Sequence, residues 1–232
     1  MSILKIAVFK TPKASIKRDY RKIKFTKEEQ NYLNEYKAKA NYSKKKPISF
    51  AIKRGIDTIS GVVGLVLSAP IIALAAMAIK INSKGPVIFK QKRIGLDGKP
   101  FDTYKLRTMY QNSDSTTNVK DKNDNRITKV GKFLRKFSID EFPQFYNILK
   151  GDMSLIGPRP VTPAEHFNIN MPENAIKYAV KPGAKLEYSK DTLQKPKNRI
   201  EIEKDYIENW SLKRDGKAFM QILKDVFGGN NY

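Results

Sequence analysis

The chain has no cysteine and a single histidine, His166, among its 232 residues. The first absence excludes a disulfide scaffold and thiolate chemistry, and it fits a reducing compartment. The second argues against histidine metal sites and a Ser-His triad. His166 itself reads as a surface residue. Acids are scarce too: 23 Asp and Glu stand against 45 Lys and Arg, a formal net charge of +22. An excess of this size implies a polyanionic partner, whether nucleic acid, an anionic membrane surface or phosphorylated substrates. No signal peptide is expected, because the N-terminus runs into Lys10, Lys13, Lys17 and Arg18 without an apolar core. No internal repeat is visible, and the length allows one large or two small domains with a buried core.

One stretch lacks charge altogether. Ile59 to Ile79 is uniformly apolar or small, close to the roughly 20 residues that a straight helix needs to cross a bilayer. Two features oppose a plain crossing. Pro70 sits near its centre, where it removes an N–H and costs roughly 3 kcal/mol in a helix interior. Ser68 lies beside it and can bond a freed carbonyl. Positive charge also flanks both ends: Lys45, Lys46, Lys53 and Arg54 before, Lys80, Lys84, Lys90, Lys92 and Arg93 after. Positive-inside reasoning puts both ends in the cytoplasm. A helix-break-helix that enters and leaves by one face meets both requirements and is the expectation. A kinked spanning helix and a buried core helix are the competing readings.

Before that run, residues 1–47 form a basic extension that reads as a solvated tail, with Thr26-x-x-Glu29 capping a short helix that carries Leu33 and Tyr36. Beside anionic lipid, its cations gain on the order of 1 kcal/mol each. After the run, Val87 to Ile94 and Phe101 to Met109 alternate around Gly95-Leu96-Asp97-Gly98, a hairpin signal. Lys90, Lys92, Arg93, Lys105 and Arg107 would make one face of it cationic, suited to phosphate or simply solvated. Gln111 to Asn125 is polar and aperiodic, and reads as a mobile loop. Helical patterns follow over Glu173 to Val180, Arg199 to Leu212 and Lys217 to Phe227, with residues 184–198 irregular. Trp210 and Tyr206 suit either the membrane interface or the core.

The richest chemistry lies between Gly131 and Pro160. Adjacent acids Asp140 and Glu141 follow Arg135 by five residues, about a turn into an expected helix. Adjacent carboxylates repel, and nearby cations or a divalent metal are how a site keeps both ionised. The stretch closes on Gly157-Pro158-Arg159-Pro160, a stiff turn that would fix one guanidinium. A plainer reading competes: Ser138-x-x-Glu141 ahead of an apolar run is also a capping box.

Taken together, these pieces resemble the bacterial sugar transferases of the monotopic phosphoglycosyl transferase family. The resemblance runs from Ile48 to Val226. It is carried by Lys53-Arg54-Gly55-Ile56-Asp57, the Pro-broken run, Tyr104 to Met109, Leu134-Arg135 through Gln144, Gly151 through Pro160, Lys181-Pro182-Gly183 and Glu208-Asn209-Trp210-Ser211. It implies an α+β, mostly helical protein with a re-entrant membrane helix over residues 48–84. A cytoplasmic catalytic domain over 85–232 would hold the small hairpin and amphipathic interfacial helices. It further implies a monotopic enzyme on the cytoplasmic face of a bacterial membrane, moving a phospho-sugar from a UDP-sugar to polyprenyl phosphate with Mg²⁺ and releasing UMP.

In such an enzyme Asp140 corresponds to the nucleophile, forming a covalent intermediate, and Glu141, with Asp140, to the metal site. Arg135 and Arg159 correspond to phosphate-binding residues, to which the hairpin adds Lys105 and Arg107. Ser68 and Pro70 mark the membrane break; Pro158, Pro160, Glu203 and Asp215 are supporting positions. The chain departs from the family pattern at Ala184 to Ser189, at Glu203 (an aspartate in the family) and at Ser68-Ala69-Pro70, where Ser and Pro are usually adjacent. A rival reading is a non-catalytic scaffold of a glycan-assembly complex that keeps the fold. A nucleic-acid binder is not expected, since no binding motif is present and the aromatics are not interleaved with the basic runs. A homo-oligomer or other glycan-assembly proteins complete the partners to consider.

Overall fold

A computed structural model describes residues 25–111, 124–168, 172–185 and 196–227. The polar loop after Gln111, most of the irregular stretch 184–198 and the lysines and arginine near the N-terminus lie outside the described residues. Within them the chain is mostly helical with two small two-stranded sheets, the expected α+β class.

Helix α1 (Lys27–Lys39) starts as its sequence dictates. The Thr26 hydroxyl accepts the Glu29 N–H at 3.2 Å, and the Glu29 carboxylate accepts the Thr26 N–H at 2.7 Å. Its Leu33 and Tyr36 are buried with Ile176, Tyr178 and Ile207. This part of the basic extension is therefore a packed element and not a solvated tail. After the short α2 (Tyr42–Lys45), helix α3 runs from Pro47 to Asn82. Pro47 suits the first turn, where its missing N–H would be unpaired anyway.

Pro70 lies inside α3, and the helix is one continuous element where a helix-break-helix was expected. The Ser68 hydroxyl donates to the carbonyl of Leu65 at 3.4 Å. The carbonyl that Pro70 leaves without its usual donor is that of Val66, so Ser68 does not repair it; a serine on a helix reaches only its own preceding turn.

A stripe at helical spacing along α3 faces the rest of the protein. Asp57, Gly61, Ser68, Ala75 and Ile79 are buried. Gly61 and Gly64 admit helix α5 (Gln144–Lys150): a Cβ on Gly61 would stand 2.9 Å from the Leu149 nitrogen, and one on Gly64 would strike the Phe145 ring. Ala75 and Ile79 pack on Leu106 and on Leu134 of helix α4 (Lys129–Lys136). The opposite side of α3, with Ile59, Val66, Leu67, Leu74 and Ile81, is exposed and apolar.

Strands β1 (Ile88–Ile94) and β2 (Pro100–Leu106) pair antiparallel from Ile88–Leu106 to Ile94–Pro100. The Asp-Gly signal works as expected: Asp97 has φ 59° and Gly98 φ 72°, and the Lys99 N–H closes on the Leu96 carbonyl at 3.1 Å. The cations do not share one face, however. Register puts Arg93 with Phe101 and Lys105 with Phe89, whereas Lys90 and Lys92 point to the other side with Tyr104 and Asp102. Strands β3 (Ser154–Ile156) and β4 (Gly183–Lys185) form a short parallel pair.

The chain then continues through α6 (Pro163–Asn168), a 3₁₀ helix over Pro172–Ala179, α7 (Pro196–Glu208) and α8 (Leu212–Phe227). Helix α8 begins earlier than its apolar pattern suggests, because the Ser211 hydroxyl accepts the Arg214 N–H at 3.2 Å. Trp210 and Tyr206 belong to the core, at 0% and 2% exposure. His166 is buried as well and not on the surface. Its Nδ1 lies 3.0 Å from the Tyr178 hydroxyl, Phe25 packs edge-on to it, and burial pushes its pKa down.

Candidate active site

The acid pair stands on a backbone feature that the sequence reading missed. Helix α4 ends at Lys136, Ser138 turns left-handed at φ 54°, and Ile139–Glu141 form a single 3₁₀ turn ahead of α5. Asp140 and Glu141 are thus held between two helices rather than a turn into one. Ser138 is not a cap. The capping threonines Thr26 and Thr128 are extended, as a cap must be, and Ser138 makes no side-chain cap bond. The Glu141 carboxylate goes to Lys105 instead, with Nζ 2.6 Å from Oε1.

Cations gather on this turn from separate elements. Lys105 comes from β2, with its side chain 23% exposed. Arg135 comes from the last turn of α4, and its Nε donates to the Thr108 hydroxyl at 2.9 Å. Thr108 also binds the start of α4. Its carbonyl accepts the Thr128 N–H at 3.0 Å, and Gly131 passes so close that any Cβ would collide with the Thr108 backbone. Burial raises the Asp140 pKa from 3.8 to about 6, helped by the Glu141 charge and opposed by Lys105 and Arg135. Two cations are not enough to offset desolvation and a neighbouring carboxylate.

The proline turn is stiff as expected, and gripped from both sides. The Pro158 carbonyl accepts the Gly183 N–H at 2.8 Å, and the Pro160 carbonyl accepts Arg93 Nη1 at 2.8 Å. Gly157 and Gly183 cross backbone to backbone, so neither tolerates a side chain. Arg159 is exposed between these anchors and has no ion pair or hydrogen bond among the described residues. Its charge is felt by Arg93, whose pKa falls to about 10 through burial and then Arg159, against the pull of Glu165 and Glu141. Arg159 and Glu141 thus both lie within the electrostatic reach of Arg93.

Other predicted positions do different work. Arg107 is buried, and its guanidinium binds the Ser83 carbonyl at 2.8 Å and the Lys84 carbonyl at 2.7 Å, closing the end of α3. Glu203 is wholly buried and pairs with Lys177 at 3.1 Å in the core under α1. Asp215 accepts from Lys53 at 2.7 Å, Tyr206 at 2.9 Å and Trp210 at 3.0 Å, tying α8 to α3. These two support the fold around the site and do not enter it.

Three side chains take roles that the sequence reading did not assign to them. Asp57, buried in α3, accepts the Ser154 hydroxyl at 2.8 Å and the Leu155 N–H at 2.9 Å. An acid next to an uncharged run is a signal in itself, since burial there demands partners. Asn147 bridges α5 to β2, donating to the Asp102 carbonyl at 2.7 Å and accepting from the Tyr104 N–H at 3.1 Å. Arg93 grips the proline turn. Nothing in the sequence separates these last two from ordinary surface polar residues.

A helix long and apolar enough to cross a membrane is thus joined to a domain in which adjacent carboxylates meet cations from β2 and α4. Residues 48–229 match the bacterial sugar transferase family, and the chain belongs to it. A UDP-glucose:undecaprenyl-phosphate glucose-1-phosphate transferase of Caulobacter vibrioides is 39% identical over 189 residues, covering 77% of this chain and 71% of that protein. A protein of the same name from Klebsiella pneumoniae is 41% identical over 197 residues, covering 80% and 42%. A UDP-N-acetylgalactosamine-undecaprenyl-phosphate N-acetylgalactosaminephosphotransferase of Aeromonas hydrophila is 39% identical over 194 residues, covering 79% and 45%. The chain therefore spans less than half of the last two relatives.

Proposed function

We propose that this protein transfers a phospho-sugar from a UDP-sugar to polyprenyl phosphate, releasing UMP and starting a surface glycan. The observation that carries the reading is the Asp140 carboxylate, half-buried beside Glu141 and within the electrostatic reach of Lys105 and Arg135. In the first step an Asp140 oxygen attacks the phosphorus that bears the sugar. The bond from that phosphorus to the bridging oxygen breaks, and UMP leaves. In the second step a phosphate oxygen of the polyprenyl acceptor attacks the same phosphorus, restoring the carboxylate and leaving a sugar diphosphate lipid. Such transfers depend on positioning and charge neutralisation more than on nucleophile strength. Arg135 and Arg159 would neutralise charge on the phosphoryl oxygens.

The donor set suits Mg²⁺. Asp140 and Glu141 offer hard oxygens in one turn, partial burial and the Glu141 charge disfavour the ionised Asp140 in a way a bound cation would offset, and no third acid or histidine joins them among the described residues. Mg²⁺ commonly takes one or two carboxylates and fills its sphere with water and substrate phosphates. Bound there, it would supply charge neutralisation to the diphosphate.

Packing supports a monotopic arrangement, and the cations flanking α3 favour the cytoplasmic face. The same domain touches α3 before Pro70, at Lys53, Asp57 and Gly61, and after it, at Ala75, Ile79 and Asn82. A water-soluble domain cannot grip both ends of a helix that crosses to the other side. UMP release tests the reaction: continued turnover should need a UDP-sugar, polyprenyl phosphate and Mg²⁺ together, UDP-sugar and Mg²⁺ alone should release no more than one UMP per enzyme, and both should vanish in Asp140→Asn. No release across a broad UDP-sugar panel, with other glycan enzymes still recruited, would favour a scaffold.

A further inference from the structure

Arg93 is buried, and three acceptors fix the plane of its guanidinium. Nη1 donates to the Pro160 carbonyl at 2.8 Å and lies 3.4 Å from Glu165 Oε2, while Nη2 donates to Gln91 Oε1 at 2.7 Å. Only Glu165 among them is charged, and its carboxylate is shared. It also accepts the Thr162 N–H at 2.7 Å, and the Thr162 hydroxyl accepts the Glu165 N–H at 3.0 Å, a capping box that starts α6. A buried cation held largely by neutral groups keeps a strong local field.

The backbone is therefore held on both sides of Arg159. Before it, the Pro158 carbonyl accepts the Gly183 N–H at 2.8 Å. After it, Arg93 holds the Pro160 carbonyl, and the Val161 carbonyl accepts the Ile94 N–H at 3.0 Å. The prolines on either side add their fixed φ, so the Arg159 side chain leaves from a backbone with little freedom. Folding back onto the turn is opposed as well. Arg93 already occupies Glu165, and the two guanidiniums repel, as the lowered pKa of Arg93 records.

We infer that Arg93 is a positioning residue: it anchors Pro160 and, by its own charge, turns Arg159 outward to meet an anionic substrate group. The inference rests on the transfer reading for the identity of that group, a phosphoryl at Asp140. The hold on Arg159 does not depend on it.

UMP release by the full chain, in a double-variant cycle with Arg159, tests the inference. Arg93→Gln should lower kcat/KM on the order of a hundredfold, most of it in kcat, the cost of misplacing a positioned group by about 1 Å. Arg93→Lys keeps the charge without the planar fork and should recover part of the rate. In an Arg159→Gln background, Arg93→Gln should cost no more than about twofold, because residues that act together are not additive. Should Arg93→Gln fail to fold, Arg93→Lys carries the same cycle with smaller factors. Equal losses in both backgrounds make Arg93 a structural residue and overturn the inference, as does no loss in either.

Calorimetry with UDP and Mg²⁺ needs no turnover. Arg93→Gln should weaken UDP binding about threefold, as expected for one solvent-accessible charge contact, and leave it unchanged in the Arg159→Gln background. That pattern in a chain that turns over no UDP-sugar would uphold the positioning role while the transfer reading fails. Equal weakening in both backgrounds would overturn the positioning role.

Discussion

Lys105 and Glu141 meet at 2.6 Å across an interval of 36 residues, and this contact joins the hairpin to the acid turn. The β1–β2 register sets it: Lys105 stands opposite Phe89 and so shares its face with Arg93 rather than with Lys90 and Lys92. A one-residue slip would turn Lys105 away and leave both carboxylates facing less positive charge.

Activity should have an acid limb near pH 6. Asp140 attacks only when ionised, and its pKa is raised to about 6, so the rate falls as pH drops through that value. Lys105→Gln removes a cation that holds the pKa down, and the limb should move to higher pH. An unmoved limb in a pH–rate profile would show that Lys105 does not act on Asp140.

Asp140→Asn should be inactive yet more stable than wild type above pH 7. A carboxyl whose folded pKa lies above its unfolded one makes the native state lose stability as pH rises through that interval. The asparagine escapes this loss. The difference in melting temperature should shrink as pH falls below about 4, where both states of wild type are protonated.

Ser138→Gly should stabilise the protein by up to about 1 kcal/mol, since a left-handed non-glycine residue costs roughly 1–2 kcal/mol. Ser138→Val should do the reverse. A cap would behave differently, losing little with glycine and nothing special with a β-branched residue beyond the lost bond. Thermal melts of the two variants separate these cases.

Asp215→Ala should lower stability by roughly 3 kcal/mol, because it strands Lys53, a partly buried cation, along with two hydrogen-bond donors. Gly183→Ala should cost about 1–3 kcal/mol by overpacking against Gly157. It should also impair transfer beyond its effect on stability, since the Pro158 carbonyl and with it Arg159 must shift.

Much of this was legible from residue order. The capping box at Thr26, the Asp-Gly hairpin, the uncharged helix and the acid pair with Arg135 all rest on local rules that neighbours in sequence can carry. What stayed hidden depends on distant partners. Ser138 fits the capping pattern by spacing, and only its left-handed backbone shows that Glu141 serves Lys105. Arg107 and Lys105 are two residues apart and look alike, yet one closes the end of α3 and the other reaches the acids. Periodicity marked Leu33 and Tyr36 as one side of a helix but could not say that the 172–179 segment would cover them. His166 read as a surface residue because a lone histidine carries no pattern, while tertiary packing buries it against Tyr178.

The central claim is that Asp140 carries the phospho-sugar between donor and acceptor. Intact-protein mass spectrometry after incubation with a UDP-sugar and Mg²⁺, without polyprenyl phosphate, tests it directly. The account predicts a mass gain equal to one phospho-sugar, mapped to the peptide holding Asp140, absent from Asp140→Asn and discharged when polyprenyl phosphate is added. Turnover by Asp140→Asn at the wild-type rate, or an adduct on another residue, would contradict it.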